Sequence, residues 1–376
     1  KVPNFTMFSV ARWTGGDNER VISDRDHNWL FGFYGSHKKQ FYFNGWLTNA
    51  GGGTGTAWHL HAFEPVEAVA RAIGTSTDAA RGHLDSGRKK LLTARDERVG
   101  PLRDEKILTA WNGLMIKGMV TAGVITGERS FIESAESALA HIKRKHWRDG
   151  RLTASSKDNE AHLPAYLDDY AFMLDAVLQM LSARWQNSNL HFAQSLAEVL
   201  LDQFADASDG GFFFTANEHE TLLHRSKGFM DEAMPAGNGV AARALLQLGH
   251  LLGDERYIHA AETTLRSAHQ GAERYPHAHS AVLEALQEWL APPQLVVLRG
   301  KGDPLEHWHA RCQQHFSPGR TSFAVPADAG GLPGLLAERT PRRAVCAYVC
   351  EGHRCDAPIE DFHALDSILK RREVKR

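Results

Sequence analysis

Between residues 122 and 265 the chain repeats itself. "AGVITGERSFIESAESAL" at 122–139 matches "LGHLLGDERYIHAAETTL" at 248–265: a helix ends at a glycine, an acidic residue opens the next helix, and an aromatic follows. Physically this is an αα-hairpin, with Gly127 or Gly253 relieving one helix terminus and an acidic side chain beside the next N-terminus. A second pattern interleaves with the first. "WRDGRLTASSKDNEAHLPAYLDDY" at 147–170 and "ADASDGGFFFTANEHETLLHRSKGFMDEAMP" at 205–235 each follow a helix, turn at Asp-Gly, pass through strand-like residues and reach an acidic pair beside the next helix. Connections therefore alternate, short at "TGE", "QNSN" and "GDE" and long at 149–167 and 209–234. In an array of antiparallel helices this places every long loop at one end, with the N-termini of the helices that begin near Lys106, Asp169 and Ala236. A toroid of paired helices closes such an array most economically, its inner helices lining a central cavity; an open solenoid is the competing architecture.

The flanks differ in texture. Residues 1–60 are aromatic and glycine-rich, with alternating runs such as "NWLFGFYG" and "QFYFNGWL" that predict strands. Residues 61–290 carry the helical array. Residues 291–376 predict an α/β extension: "QLVVLRG", a helix from about Pro304 to His315, "TSFAV", "AVCAYVC" and a helix near Phe362 to Lys370. With 376 residues, 43% of them hydrophobic, and a net charge of −2 without long like-charged blocks, the chain is expected to be globular, without an electrostatic reason to bind nucleic acid or an anionic membrane. No apolar run reaches bilayer length and the start does not resemble a signal peptide, so the expected compartment is the cytoplasm.

Four clusters fall at the long-loop end of the inner helices. They are Arg103, Asp104, Trp111 and Asn112; His162, Tyr166, Asp168, Asp169 and Tyr170; His219, His224, Asp231, Glu232 and Asn238; and Tyr275, His277 and His279. Aromatic faces with carboxylates and imidazoles between them suit a carbohydrate or another polyhydroxylated molecule. Asp168, Asp169, Asp231, Glu232, His162 and His277 are the candidate catalytic residues, the carboxylates for glycoside hydrolysis and the imidazoles for proton transfer at a sugar carbon. Arg103, Asp104, Trp111, Asn112, Tyr166, Tyr170, His224 and Asn238 are the candidate binding residues. Against this, Asp104, Asp168 and Asp231 also stand where helix N-caps stand.

Asn112-Gly113 and Gly237-Asn238-Gly239 break helix propensity in the first turns of two inner helices. The expectation is that these helices approach something closely, a ligand or one another, and that each Asn bonds either a ligand or a loop carbonyl. Cys346, Cys350, His353 and Cys355 have irregular spacing for zinc; free thiols or a Cys350–Cys355 disulfide are expected instead, and no metal. "GGGTG" at 51–55 lacks a following Lys and reads as a turn, so no cofactor is expected.

Long motifs in order, "EPVEAVARAIG", "LLTARDERVGPLRDEKILTAWNGLMI", "YLDDYAFMLDAVLQM", "GGFFFTANEHETLLHRSKGFMDEAMPAGNGVAA", "LLGDERY" and "AYVCEGHRCDAP", resemble the C-terminal part of the thioredoxin-domain-containing YyaL and spermatogenesis-associated protein 20 family, from about Phe63 to Leu369. The resemblance implies a mainly α (α/α)6 toroid similar to that of N-acylglucosamine 2-epimerases and cellobiose 2-epimerases. It also implies a thioredoxin-like domain as a neighbour or partner, whose Cys-x-x-Cys motif does not occur in these residues. About nine helices are expected between 64 and 290, where closure takes twelve. Through "DRDHNWLFGFYG" and "FYFNGW", residues 1–60 faintly resemble a concanavalin-like lectin or glucanase fragment. The expected activity is that of a carbohydrate isomerase, epimerase or hydrolase; the alternative is a non-enzymatic carbohydrate-binding or protein-interaction scaffold.

Overall fold

The structure, a computed structural model, describes residues 66–99, 104–158, 160–315, 317 and 319–371, with the backbone of 20–23, 29–34 and 37–43. Arg103 and most of 1–60, with its lectin-like reading, lie outside the described residues. Contacts divide the chain into two compact units, 1–103 and 104–376. In the first, β1 (Arg20–Ser23), β2 (Trp29–Tyr34) and β3 (His37–Phe43) form an antiparallel sheet in chain order, and α1 (Val66–Ala72) packs on α2 (Thr77–Asp96). Ser76 starts α2 as expected of an N-cap, its hydroxyl accepting from the Ala79 N–H at 3.2 Å.

The second unit is mainly α-helical and built from helix hairpins, a toroid-like (α/α) array with small sheets. Inner helices α3 (Thr109–Thr126), α5 (Leu167–Ala183), α7 (Gly237–Leu252) and α9 (Ser280–Leu290) lie side by side, each against the next. Outer helices α4 (Arg129–Lys145), α6 (Asn187–Val199) and α8 (Glu255–Arg274) return behind them. The chemistry of each helix explains its layer. α5 and α7 are apolar nearly all round and almost wholly buried, whereas α8 buries one stripe through Tyr257, Ala261, Thr264, Leu265 and Ala268. The repeated glycines end their helices as the sequence predicts: Gly127 and Gly253 are left-handed, with φ of 77° and 70°.

The long connections do gather at the N-terminal ends of the inner helices. In the first, β4 (Ile107–Leu108), β6 (Arg151–Lys157) and β7 (Glu160–Pro164) pair with β6 in the middle, and β5 (Trp147–Arg148) turns back on β6. The opposite end is covered by residues 291–371. Strands β8 (Gln294–Gly300), β9 (Arg320–Pro326), β10 (Val345–Glu351) and β11 (Arg354–Cys355) form a sheet in the order β11-β10-β8-β9, parallel only between β8 and β9. Because side chains alternate along a strand, β8 serves two cores. Leu295 and Val297 join the helical core, while Val296 and Leu298 pack under α10 (Gly302–Gln314) and α12 (Phe362–Arg371). The short helix α11 (Leu335–Glu338) rests on α7. His309 donates to the Ser182 carbonyl at 2.8 Å and Arg339 to that of Leu251 at 3.0 Å, satisfying carbonyls at the C-terminal turns of α5 and α7.

Candidate functional site

Glycine sets how closely the inner helices meet. A Cβ on Gly113 would stand 2.8 Å from the Phe172 backbone of α5, and one on Gly239 would stand 2.7 Å from the Ala281 backbone of α9. Gly237 faces the Asp168 carboxylate and Leu167 in the same way. The propensity defects in the first turns therefore let helix meet helix.

The amides between these glycines serve the backbone. Asn112 donates to the Leu108 carbonyl at 2.8 Å. Asn238 is fully buried; its Oδ1 accepts from the Phe212 N–H at 2.7 Å and its Nδ2 donates to the carbonyls of Phe212 and Gly228, both at 2.9 Å. It ties the 209–234 loop to the start of α7 and presents no surface to a ligand, which corrects its expected place among the binding residues.

Two acidic residues staple helix ends together. Asp169 accepts from the Ala110 N–H of α3 at 2.8 Å and from the Tyr166 N–H at 2.9 Å. Asp231 accepts from the Ala236 N–H at 2.8 Å and from the Ala281 N–H of α9 at 3.1 Å. Each carboxylate meets the second residue of an inner helix, where the helix dipole favours negative charge. Burial nevertheless pushes the Asp169 carboxyl up to about 7.

Asp168 differs from both. It is half-buried and no hydrogen bond reaches its side chain among the described residues, and burial pushes it up to about 6. It lines a cavity of about 260 Å³ under the 209–234 loop, with Phe214, Met230 and Glu232. A second cavity of about 250 Å³ shares the wall from Glu232 to Pro235 and reaches between the inner helices. There Asp175 of α5 accepts from Lys117 of α3 at 2.7 Å and from Arg243 of α7 at 2.7 Å, and Arg243 lies 3.6 Å from Glu288 of α9. Glu284 of α9 completes the polar wall. Every inner helix thus sends a charged side chain into one cluster.

Asp168 gives a pH test with a definite sign. Its folded pKa is raised, so its contribution to stability is full below the ordinary carboxylate range and is lost as pH rises through about 6. Asp168→Asn is expected to unfold at the same urea concentration as wild type at pH 4, and at a higher one at pH 8. Equal midpoints at both values would show that Asp168 is solvated.

The other candidates stand apart from these cavities. Trp111 projects from α3 at 61% exposure, and His162, His224 and His277 are exposed and line neither cavity. Trp111, Asn238 and His277 line neither of these two cavities. Asp104 is exposed and bonded to Lys106, whose backbone N–H, more than its ammonium group, holds the Asp104 carboxyl below its usual range. Tyr166 stacks on Phe214 with centroids 4.9 Å apart, and His219 meets it edge-on at 5.3 Å. Tyr170 is buried, its hydroxyl accepting from the Leu152 N–H at 2.8 Å. His279 is buried against Gly271, bonded through Nδ1 to the Tyr275 carbonyl at 2.8 Å. Among the described residues no three His, Cys, Asp or Glu side chains form a group that could hold a metal ion, and no helix is long and apolar enough to cross a membrane.

No protein-family model matches the chain. Human spermatogenesis-associated protein 20 is 29% identical over 323 residues, covering 81% of this chain and 41% of the relative. The chain thus spans about two-fifths of the length of the curated relatives of that name. Among solved structures, a cellobiose 2-epimerase from Spirochaeta thermophila superposes with a TM-score of 0.38 at 14% identity, covering 45% of this chain and 44% of that one. A family 76 α-mannanase from Bacteroides thetaiotaomicron gives a TM-score of 0.40 at 14% identity, covering 58% and 57%. The helical array, its two long loops and the α/β cover all lie in the second unit, and the sequence match makes this chain a homologue of the spermatogenesis-associated protein 20 proteins.

Proposed function

We propose that the paired cavities under the 209–234 loop bind a carbohydrate or similar polyhydroxylated molecule, and that Asp168 and Glu232 act on it as proton donor and carboxylate partner. The observation that carries this reading is Asp168 itself. A half-buried carboxyl without a hydrogen-bond partner among the described residues, raised by burial and set on a cavity wall, retains a protonated fraction near neutral pH and is placed to give its proton to a leaving oxygen. Glu232 is exposed and lines both cavities, in place to act as the second carboxylate. Lys117, Arg243 and Glu284 offer hydroxyl partners beside apolar Leu114 and Met234. Carboxylate chemistry is favoured over imidazole chemistry because His162, His224 and His277 line neither cavity.

The test is a thermal-shift and turnover screen with mono- and disaccharides on wild type, Asp168→Asn and Glu232→Gln. A sugar is expected to raise the wild-type melting temperature and to be turned over by wild type only, the variants keeping their fold. If no sugar shifts wild type, the reading fails.

A non-enzymatic scaffold is the second reading, with a thioredoxin-like domain as partner. It is favoured by Asp169, Asp231 and Asn238 being committed to backbone, and by Trp111 and Met115, 61% and 62% exposed one turn apart on α3. In that case Trp111→Ala weakens partner capture and leaves sugar response untouched.

A further inference from the structure

Outside the cavities, the C-terminal sheet holds a second chemical centre. Cys350 of β10 and Cys355 of β11 stand opposite each other in the sheet and are joined as a disulfide. The two sulfurs differ in access: Cys350 is 2% exposed, whereas Cys355 lies at the surface. A buried guanidinium faces both, with Arg339 Nη2 at 3.6 Å from Cys350 Sγ and 3.9 Å from Cys355 Sγ. Arg339 is 4% exposed, and among the described residues no carboxylate hydrogen-bonds to it. A buried cation beside a disulfide gains its counter-ion only when that disulfide opens.

We propose that Cys350–Cys355 is a thiol–disulfide exchange site for small thiols or dithiols, with Arg339 stabilising the Cys350 thiolate. The incoming thiolate attacks the accessible sulfur of Cys355 in line with the S–S bond. That bond breaks, its electron pair leaves on Cys350 Sγ beside the guanidinium, and a mixed disulfide forms on Cys355. A second thiolate then attacks the external sulfur of the mixed disulfide. Cys355 leaves as thiolate and takes a proton from water, and the reductant departs as its own disulfide. Two thiols are oxidised for each protein disulfide reduced. Arg339 also donates to the Leu251 carbonyl, and Gly334 packs against the Leu252 carbonyl, so reduction acts next to the last turn of α7.

The experiment uses the full chain in dithiothreitol and glutathione redox buffers, followed by alkylation and peptide mass spectrometry. The disulfide is expected to be reduced by millimolar reduced glutathione without denaturant. In Cys355→Ser, which isolates the Cys350 thiol, Cys350 is expected to be alkylated at pH 6 about tenfold or more faster than in Cys355→Ser/Arg339→Gln. Arg339→Lys is expected to restore most of that rate, a result that a purely structural role for the arginine would not give. Near-ultraviolet circular dichroism verifies the fold of each variant. A disulfide that resists millimolar dithiothreitol in the folded protein overturns the proposal. So does a Cys350 alkylation rate that is equal with and without the positive charge at 339.

Discussion

Asp175→Ala is expected to lower the free energy of unfolding by about 3–5 kcal/mol, read from urea denaturation. Asp175 is 5% exposed and accepts charge-assisted hydrogen bonds from two cations on two neighbouring helices. Removing it strands Arg243, which is held among the inner helices with Glu288 as its remaining partner at 3.6 Å. Lys117 has a path to solvent and suffers less. The loss is therefore mainly that of a largely enclosed guanidinium left with Glu288 alone. Asp175→Leu combined with Arg243→Met is expected to recover most of the stability, because an apolar pair of similar size leaves no charge unpaired. If the single variant is as stable as wild type, the cluster is hydrated and Arg243 finds water in place of Asp175.

Asn238→Ala is the second large effect, a loss of about 3 kcal/mol or more. The N–H and carbonyl of buried Phe212 lose their partner at once, each worth roughly 1–3 kcal/mol when left unsatisfied, and the carbonyl of exposed Gly228 loses its partner with a smaller cost. Asn238→Asp separates the donor from the acceptor roles. The carboxylate still accepts from Phe212 N–H but meets two carbonyl oxygens with negative charge, so this variant is expected to be no more stable than alanine. Amide exchange at 209–234 is expected to rise in both, while α3 and α4 remain protected. A stable Asn238→Ala with a protected loop would show that Phe212 and Gly228 find other partners.

Much of this architecture is legible in sequence because local signals agree with one another. The Gly-acid-aromatic repeat marks the short turns, and the Asp-Gly turns mark the long loops. Periodicity then separates the amphipathic outer α8 from the apolar inner α5 and α7. The Cys350–Cys355 disulfide is one of the two readings open to the sequence, beside free thiols, since only four residues lie between the two cysteines. The candidate site is less legible. Polar side chains at helix starts attract notice, yet Asp169, Asp231 and Asn238 are spent on orphan N–H and carbonyl groups that any gathering of helix ends and loops must satisfy. The charges that do face the cavity sit in mid-helix. Lys117, Asp175 and Arg243 each stand alone in an apolar run, and the partners are 58 and 68 residues apart. A lone mid-helix charge in each of α3, α5 and α7, at an energetic disadvantage in isolation, is the signal that was available.

The glycine contacts at the starts of the inner helices have a bearing on selectivity. Where Gly113 meets Phe172 and Gly239 meets Ala281, main chain touches main chain, and no side chain stands between that a ligand or a substitution could turn aside. On the proposed carbohydrate reading, the rim at that end is held by backbone contacts rather than by side chains. Homologues that take molecules of different size are then expected to keep the small residues at 113, 237 and 239 and to differ in the 209–234 loop, the part of the enclosure free to change its outline.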